Sequence, residues 1–392
     1  MKKPIYIYCK DLDEQTEKQF LNCVNKDFVF AAALMPDAHS GYVAPIGSVL
    51  ITKGVIVPSW VGYDIGCGVT AIKLTAPNLR LKAKENAQKI YDEVSKTVPM
   101  GLGKIHSQGD VHKEQRLAFR ELLENLAKKP HDKDLFDFIK RKSESTLGTL
   151  GEGNHFIELG EGNDSNTDEI WIIIHSGSRN IGHKVATKYM KSSAGDDKTF
   201  EQTFPLDSNS RVGEEYLAIL EFGLEFALLN RLEMGITVKE CIETILNEPI
   251  TFEVWTNKNH NHAIKETYNG ETVYIHRKGA TPAKKGERGV IPGNMRDGVY
   301  LVEGLGNEKF LWSSSHGAGR KMSRKKAKES ISLVEFKESM KGVLGTVREG
   351  TIDEAPQAYK DFEVVMNNQK ESIKIIKHIK PFINWKGDNK KR

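Results

Sequence analysis

The sequence has few cysteines, only four in 392 residues, and none of them stands in a paired spacing. This scarcity argues against a disulfide framework. Long hydrophobic runs are also missing. The short apolar stretch behind the basic start Met1-Lys2-Lys3 is interrupted by Lys10 and Asp11, and no run approaches membrane-spanning length. We therefore expect neither a secretory signal nor contact with a membrane, and we predict a cytoplasmic protein.

A large excess of charge of one sign is absent as well. The net charge is +4, from 57 Lys and Arg against 53 Asp and Glu, which does not by itself require a nucleic-acid partner. The positive charge is clustered at residues 278–288, 320–328 and 390–392. Such runs usually form a solvated face, although a local patch can also hold phosphate groups. With 39% hydrophobic and 28% charged residues, the composition is that of an ordinary globular protein.

The hydrophobic pattern predicts a mixture of strands and helices. The first third has apolar runs at 28–34 and 46–57 between glycine-rich turns. We predict strands at 69–74, 154–159, 169–175 and 250–255, helices at 81–95, 114–128, 133–143, 213–234 and 237–246, and a loop at 198–211. Neither a repeat nor a clear linker divides the chain. The sequence therefore predicts one interwoven α+β domain over residues 1–392.

Five side chains are candidates for binding a metal. Asp64 and Cys67 lie three residues apart in a glycine-rich turn, whereas His155, His175 and His260 stand at predicted strand ends. A single histidine at a strand end is more often structural, but strand ends are where distant side chains converge. Mixed Asp, Cys and His ligation suits zinc, iron or manganese and is too soft for magnesium. The carboxylate and the thiolate could each bridge two ions, but the spacing does not fix the metal count.

A histidine in a glycine-flanked turn is the candidate nucleophile. Residues 315–320 read Ser-His-Gly-Ala-Gly-Arg. The imidazole of His316 could attack a phosphorus atom, the small residues behind it would let backbone N–H groups approach an anion, and Arg320 could bind phosphate oxygens. The alternative is a tight turn that carries a surface histidine.

Two further segments could support such a site. Residues 175–180, His-Ser-Gly-Ser-Arg-Asn, offer Arg179 as a phosphate ligand, although a surface salt bridge is the more common role of an arginine. Asp37 and His39 could orient metal ligands or simply stabilise a turn. The run Gly-Leu-Gly-Lys at 101–104 is too short for a Walker-type loop, which disfavours a P-loop NTPase.

Taken together, these segments resemble the RtcB family of RNA-splicing ligases over nearly the whole chain. Nine matching runs occur in the family's order: Met-Pro-Asp-Ala-His at 35–39, Asp-Ile-Gly-Cys-Gly at 64–68, Gly-Asn-His-Phe-Ile-Glu at 153–158, His-Ser-Gly-Ser-Arg at 175–179, His-Asn at 260–261, His-Arg-Lys-Gly-Ala-Thr at 276–281, Ser-His-Gly-Ala-Gly-Arg at 315–320, Glu-Ala-Pro-Gln-Ala-Tyr-Lys at 354–360 and Lys-Gly at 386–387.

The resemblance implies a mixed α/β fold peculiar to the family, in which central sheets enclose a metal site and helices flank them. It implies two manganese ions and GTP as the energy source. By resemblance, the metal ligands are Asp64, Cys67, His155, His175 and His260. Manganese itself follows from the resemblance alone.

The resemblance also implies that His316 accepts GMP. Arg179, Arg320 and Asp37 complete the predicted catalytic set. The predicted nucleotide-binding residues are Asn154, Glu158, Asn294, His316, Gly317, Ala318, Gly319, Tyr359 and Lys386. Glu158 would accept hydrogen bonds from guanine N1 and N2, and Lys386 would donate to O6, a pairing that favours guanine over adenine.

The implied reaction joins an RNA 3′-phosphate, or a 2′,3′-cyclic phosphate after opening, to a 5′-hydroxyl end, in RNA repair or tRNA splicing. GMP passes from His316 to the RNA 3′-phosphate, and the 5′-hydroxyl then attacks the activated phosphate. Arg179 and Arg320 would fix the RNA phosphate. An archease-like activating protein is a further partner to consider.

One loop departs from the family pattern. Where the family usually has Ser-Met-Gly-Thr-Ala-Ser, residues 294–299 read Asn-Met-Arg-Asp-Gly-Val, so that Asn294 and Val299 replace hydroxyl side chains expected near the nucleotide. His262 also competes with His260 as a ligand, and we prefer His260 because Asn261 follows it as in the family. The altered loop and the shorter length resemble a divergent bacterial paralogue.

Two alternative functions stay open. A metal-dependent 2′,3′-cyclic phosphodiesterase or RNA-end phosphatase without nucleotide use would need only the metal ligands. A non-enzymatic module that binds RNA ends or ribosomes would be marked by lost ligands, and every candidate ligand is present.

Overall fold

The computed structural model describes residues 3–106, 110–164, 167–195 and 202–387. The basic run at 390–392 and part of the predicted loop at 198–211 lie outside the described residues. Within the described part, no helix combines the length and the apolar character needed to cross a bilayer. The strands and helices are intermixed along the chain, which confirms the predicted mixed α/β class.

The described residues form eleven α-helices. They are α1 (Glu14–Val24), α2 (Pro58–Val61), α3 (Leu79–Glu85), α4 (Ala87–Thr97), α5 (Lys113–Ala127), α6 (Lys133–Thr146), α7 (Ile181–Ala194), α8 (Arg211–Leu246), α9 (Arg324–Ser330), α10 (Leu333–Ser339) and α11 (Phe362–Asn367). Short 3₁₀ helices span Glu308–Phe310, Glu349–Glu354 and Pro356–Ala358.

The same described ranges form seventeen strands. They are β1 (Ile5–Ile7), β2 (Val29–His39), β3 (Ile46–Thr52), β4 (Val55–Ile56), β5 (Gly68–Thr75), β6 (Phe156–Gly162), β7 (Glu169–Ser176), β8 (Leu206–Asp207), β9 (Thr251–Asn259), β10 (Asn261–Tyr268), β11 (Glu271–Lys278), β12 (Ala280–Pro282), β13 (Arg288–Pro292), β14 (Val299–Gly304), β15 (Ser313–Ser315), β16 (Leu344–Gly345) and β17 (Ile373–Lys386).

The largest sheet has the strand order β13-β14-β17-β6-β7-β5-β9, with β16 beside β17. Its central strand β7 is a β-branched, apolar run that is buried almost throughout, as expected for a strand covered on both faces. One face packs against α3, α4 and α8. On the other face, side chains of the sheet's own strands pack together: Val69 of β5 and Phe156 of β6 share one apolar cluster with residues of β13, β14 and β17.

The register of this sheet brings distant residues to one edge. His175 on β7 pairs with Val69 on β5 and with Phe156 on β6. Gly68, which directly follows Cys67, pairs with Asn259 on β9. The ends of four strands therefore deliver Cys67, His155, His175 and His260 to the same place.

A second sheet has the order β1-β2-β3-β11-β10. Strand β2 continues through Pro36 to His39, so the segment around Asp37 is extended and not a turn. The short pair β12-β15 matches Ala280 with Ser315, and the N–H of Ala280 donates to the carbonyl of His260. This connection places the turn that carries His316 beside the edge of the large sheet.

Three predictions about the elements are wrong. The helices predicted at 213–234 and 237–246 form one helix of 36 residues, α8, which runs through Gly235. A Cβ on Gly235 would lie 2.3 Å from Cδ1 of Ile72, so the glycine permits close packing of α8 against β5. This packing outweighs the helix-propensity cost of glycine, which is about 1 kcal/mol. The helix predicted at 81–95 is divided at Asn86 into α3 and α4. The predicted loop at 198–211 contains β8, which pairs with β4.

Candidate metal centre and nucleotide cavity

The predicted metal ligands converge at the sheet edge. Sγ of Cys67 lies 3.1 Å from Nε2 of His175 and 3.4 Å from Nε2 of His155. The ligand atoms of these three buried side chains all lie within 4.8 Å of one another. Oδ2 of Asp64 is 3.1 Å from Nε2 of His155, and Nε2 of His260 is 3.4 Å from Nε2 of His175. Three of the five predicted ligands thus form a compact group, and Asp64 and His260 each lie within contact of one member of it.

The electrostatics of this group favour a bound cation. Burial lowers the pKa of His175 and of His260 well below the usual value, so both imidazoles are neutral and have a free lone pair. Burial opposes the charge of Asp64, but its neighbours, led by His155, together outweigh burial and lower the pKa of Asp64 to about 2. Burial, followed by Asp64, raises the pKa of the Cys67 thiol well above its usual value. A divalent cation would stabilise the thiolate. The donor set fits a borderline metal ion.

The ring of His175 is oriented by a backbone group. The carbonyl oxygen of Asn154 lies 3.1 Å from Nδ1 of His175 and accepts its proton, which turns Nε2 towards the cluster. His262, the competing ligand candidate, is directed elsewhere, because its Nε2 lies 3.2 Å from Nη1 of Arg277.

His316 is held by a buried carboxylate. Oδ2 of Asp37 lies 2.7 Å from Nδ1 of His316 and also accepts from the backbone N–H groups of His316, at 3.2 Å, and Gly317, at 3.3 Å. The proton therefore resides on Nδ1, and Nε2 carries the lone pair. The ring centroid of His316 is 4.9 Å from that of His260. The sequence-based expectation that Asp37 orients a metal ligand is wrong, since Asp37 contacts His316 instead.

Two glycines allow this close approach. Gly319 has φ +73°, and a Cβ there would lie 2.2 Å from the carbonyl oxygen of Asp37. Gly279 has φ +63°, and a Cβ there would lie 3.1 Å from the ring of His316 and 2.4 Å from Cγ2 of Ile46. Only glycine combines the left-handed backbone with this lack of space.

A cavity of about 520 Å³ opens beside His316. Its wall includes His175, so the cavity reaches the metal cluster, and it includes His39. All predicted nucleotide-binding residues line it: Asn154, Glu158, Asn294, His316, Gly317, Ala318, Gly319, Tyr359 and Lys386. A cavity of this size is in the range that holds a small-molecule ligand.

Glu158 presents an unpaired oxygen to the cavity wall. Its Oε2 accepts from Nδ2 of Asn384, at 3.1 Å, its cross-strand partner on β17. Its Oε1 is buried and has no hydrogen-bond partner among the described residues. Burial raises the pKa of Glu158 to about 8. An unsatisfied buried acceptor is costly, and a ligand N–H group would satisfy it.

Glu354 is a functional candidate that the sequence analysis did not identify. It is buried, and its carboxylate accepts hydrogen bonds from Nζ of Lys386 at 2.9 Å, the hydroxyl of Tyr359 at 2.6 Å and Nη1 of Arg324 at 2.6 Å. Burial opposes its charge, but Lys386 and then Arg324 outweigh it, and the pKa of Glu354 is lowered to about 2. The sequence could have indicated Glu354, because it is an acidic residue in the same family-matching segment, 354–360, as the predicted nucleotide-binding residue Tyr359.

These contacts limit two predicted roles, the donation by Lys386 to guanine O6 and the binding of the RNA phosphate by Arg320. The ammonium group of Lys386 also reaches the carbonyls of Gly153 and Asn154, so its three N–H donors all face protein acceptors and not a base. The guanidinium of Arg320 donates to Glu354, at 3.2 Å, and to the carbonyls of residues 322 and 353. It lies over the ring of Tyr359. The positive run at 320–328 is thus partly internal and not a uniform solvated face.

Arg179 is half-buried next to the cluster segment. Its backbone has φ +57°, and its Nε donates to Oγ1 of Thr149 at 3.2 Å. A Cβ on Gly151 would lie 2.0 Å from Nη1 of Arg179, so the guanidinium packs directly on that glycine. No salt bridge to Arg179 occurs among the described residues, in contrast to the common surface role.

The two replaced positions of the departing loop lie in different places, Asn294 in the cavity wall and Val299 in the large sheet. The side chain of Asn294 caps its own turn: Oδ1 accepts from the N–H groups of Arg296 and Asp297, and Nδ2 donates to Oδ2 of Asp297 at 2.7 Å. Val299 is fully buried in the sheet core, paired with Pro292. The expectation that Val299 replaces a hydroxyl near the nucleotide is therefore wrong, because the side chain does not line the cavity.

Comparison with known proteins supports one family. A family model described as tRNA-splicing ligase RtcB matches residues 19–387. The chain is 33% identical to the RNA-splicing ligase RtcB of Escherichia coli K12, with 98% of this chain and 97% of that protein covered. It is 31% identical to the tRNA-splicing ligase RtcB of Methanococcus maripaludis, with 84% and 82% covered, and 29% identical to that of Nanoarchaeum equitans, with 90% and 87% covered.

Proposed function

The chain belongs to the RtcB family of RNA ligases, and from this membership we propose that it uses GTP and two manganese ions to join RNA ends. The substrates are a 3′-phosphate or 2′,3′-cyclic phosphate end and a 5′-hydroxyl end, in RNA repair or tRNA splicing. One observation carries the proposal: Nε2 of His316 has its lone pair free, because Asp37 holds Nδ1, in a cavity whose wall includes the metal-cluster residue His175.

The metal would be held by Asp64, Cys67, His155, His175 and His260. Their imidazoles, carboxylate and thiol form a donor set that fits a borderline divalent metal ion, and the sheet register delivers four of the five side chains together. The choice of manganese rests on the family membership. Bound there, manganese supplies positive charge that neutralises phosphate oxygens.

His316 is the proposed nucleophile towards GTP. Its Nε2 attacks the α-phosphorus, a P–N bond forms, the bond to the β-phosphate oxygen breaks, and pyrophosphate leaves. The imidazole gains positive charge in this step. Asp37, at 2.7 Å from Nδ1, stabilises that charge and keeps the correct tautomer.

Transfer to RNA follows in two further steps. An oxygen of the RNA 3′-phosphate attacks the guanylate phosphorus, the P–N bond breaks, and a mixed anhydride forms. The 5′-hydroxyl oxygen then attacks the RNA phosphorus, loses its proton and displaces GMP. A cyclic phosphate must first be hydrolysed to the 3′-phosphate. We propose that Arg179 helps to fix the RNA phosphate, since it follows the ligand His175 by four residues.

Guanine selectivity is proposed to depend on Glu158. Its unpaired Oε1 can accept from guanine N1–H and N2–H, two donors that adenine does not offer in this arrangement. Because Lys386 is bound to Glu354, we assign Lys386 the role of orienting that carboxylate and Tyr359 in the cavity wall.

The test is incubation with Mn²⁺ and GTP, followed by mass spectrometry of the peptides. We expect one acid-labile guanylate on His316, absent in His316→Ala and present in His131→Ala. His131 is a control histidine outside the cavity, whose Nδ1 lies 2.8 Å from the carbonyl of Lys129. Absence of the adduct in the unmodified protein would overturn the proposal. Opening of cyclic-phosphate ends without GTP, and no sealing with it, would favour the phosphodiesterase. An archease-like protein is added where turnover stops after one cycle.

A further inference from the structure

The long helix α8 carries a buried arginine directly behind the metal cluster. Arg231 is completely buried. Its Nη1 donates to the carbonyl oxygens of Gly66, at 3.1 Å, and Ser176, at 2.8 Å. Its Nη2 donates to Oδ1 of Asn259 at 2.8 Å, and its Nε donates to Oδ1 of Asn257 at 2.8 Å. All of these acceptors are neutral.

Three of the acceptors adjoin metal-ligand candidates in the chain. Gly66 precedes Cys67, Ser176 follows His175, and Asn259 precedes His260. These residues lie on three separate segments, the turn before β5, the end of β7 and the end of β9. One planar guanidinium therefore links three ligand-bearing segments, two through backbone carbonyls and one through the side chain of Asn259, and it is not part of the cavity wall.

A buried cation is costly unless a negative charge lies near. No carboxylate hydrogen-bonds to Arg231 among the described residues, but the carboxylate of Asp64, a member of the metal cluster, interacts favourably with its charge. Cys67 would add a second negative charge near Arg231 once a bound metal ion stabilises its thiolate. The planar fork of arginine can hold acceptors in several directions at once, whereas the ammonium of lysine is a compact point charge.

We propose that Arg231 is a positioning residue that holds the segments of Cys67, His175 and His260 in the register needed to bind the metal. The inference rests on the proposed metal site and deepens it. It assigns the 36-residue helix α8 a part in metal binding, although none of the ligand candidates lies on that helix.

The test compares Arg231→Lys with Arg277→Lys. Arg277 is equally buried, but its guanidinium bonds Ser313, Glu266 and His262 and none of the ligand-adjacent carbonyls. Co²⁺ is titrated into each protein without nucleotide, and binding is followed by the thiolate-to-cobalt absorption. We expect Arg231→Lys to weaken binding about 10- to 100-fold, the usual effect of removing a group that orients metal ligands. Arg277→Lys should keep the affinity of the unmodified protein.

A second readout separates positioning from general stability. Thermal unfolding is measured with and without Mn²⁺, because a ligand that binds only the folded state raises Tm according to its affinity. For Arg231→Lys we expect a smaller Mn²⁺-induced rise in Tm than for Arg277→Lys. An equal rise in both variants, with equal cobalt affinity, would overturn the inference.

A third variant covers the case in which Arg231→Lys does not fold. Asn259→Ala keeps the cation and removes its link to the segment of His260, together with the hydrogen bond from Nδ2 of Asn259 to the carbonyl of Leu224 on α8. We expect an intermediate loss of cobalt affinity, and an affinity equal to that of the unmodified protein would contradict the inference. If the unmodified protein itself binds neither Co²⁺ nor Mn²⁺, the proposed metal site fails, and that outcome is distinct from failure of Arg231 alone.

Discussion

The carboxylate of Asp37 determines which nitrogen of His316 can react. Asparagine keeps the shape of aspartate, but its amide can donate to Nδ1, which would leave the proton on Nε2 and block attack. Asp37→Asn should therefore slow guanylylation about 100-fold or more, as loss of a group that orients an acid–base histidine commonly does. The measurement is the single-turnover rate of adduct formation at saturating GTP and Mn²⁺. A rate within threefold of the unmodified protein, with equal thermal stability, would remove Asp37 from the proposed mechanism.

The raised pKa of Glu158 predicts a pH dependence of GTP binding. Below about pH 8 the carboxyl is mostly protonated, and it must lose that proton to accept both guanine N–H groups. Affinity should therefore fall as the pH falls below about 8, by at most about tenfold per pH unit. In Glu158→Gln the affinity should be lower and this slope should disappear.

The matched control for that experiment is Glu161→Gln. Glu161 lies on the same strand, β6, but its carboxylate pairs with Lys84 and Arg80 away from the cavity. The Glu161→Gln protein keeps any pH dependence that arises at the metal ligands, so the difference between the two variants isolates the contribution of Glu158. Isothermal titration calorimetry measures the affinity for GTP at about pH 6 to 9. Parallel slopes in both variants would exclude Glu158 as the titrating group.

At this scale, the sequence predicted which residues meet but not which atoms they use. His316 was identified from its local run, and Glu158 and Lys386 from the family resemblance; all three line the cavity. The pairing of Lys386 with Glu354 was not predicted, because it depends on the position of a strand relative to a 3₁₀ helix 32 residues away. Ion pairs between distant segments leave no periodic pattern in a sequence.

The turn that carries His316 depends on close contact between two elements. Gly319 packs against the carbonyl of Asp37 on β2 with no space for a side chain. Gly319→Ala should force β2 and the turn apart, so that Nδ1 of His316 leaves Asp37 and adduct formation falls steeply. The strain of a positive φ adds about 1–2 kcal/mol to the loss of unfolding free energy.

Gly342→Ala is the control for this substitution. Gly342 also has a positive φ, +87°, but nothing lies within 4 Å of an added Cβ. In chemical denaturation, Gly342→Ala should lower the unfolding free energy only by the cost of the positive φ, and it should not reduce adduct formation. Equal effects of the two substitutions on both measurements would show that backbone conformation, and not contact with β2, explains the role of Gly319.

The elements themselves were predictable where their pattern is strong. Strand β7 was predicted within one residue at its end, because a β-branched run between polar residues is unambiguous. Helix α8 was divided in error at residues 235–236, because a glycine within a helical pattern suggests an end, and the packing against Ile72 that requires it is tertiary. The hydrophobic pattern of the sequence does not reveal the register of β5, β6, β7 and β9, and this register brings the metal ligands together.

At the scale of the molecule, strands from distant parts of the chain pair with one another, so no cut in the sequence separates two independent sheets. Strand β17 pairs with β6, β9 pairs with β5, and β11 pairs with β3. The proposed single domain over residues 1–392 should therefore unfold in one thermal transition. Saturating Mn²⁺ should shift that whole transition to higher temperature, because its ligands come from the ends of four strands of the large sheet. The gain in unfolding free energy should be about 2.7 kcal/mol at a free concentration 100 times Kd. Scanning calorimetry measures both effects. Two resolved peaks, of which Mn²⁺ moves only one, would mean that the chain is built of two independent units and that the metal ligands belong to one of them.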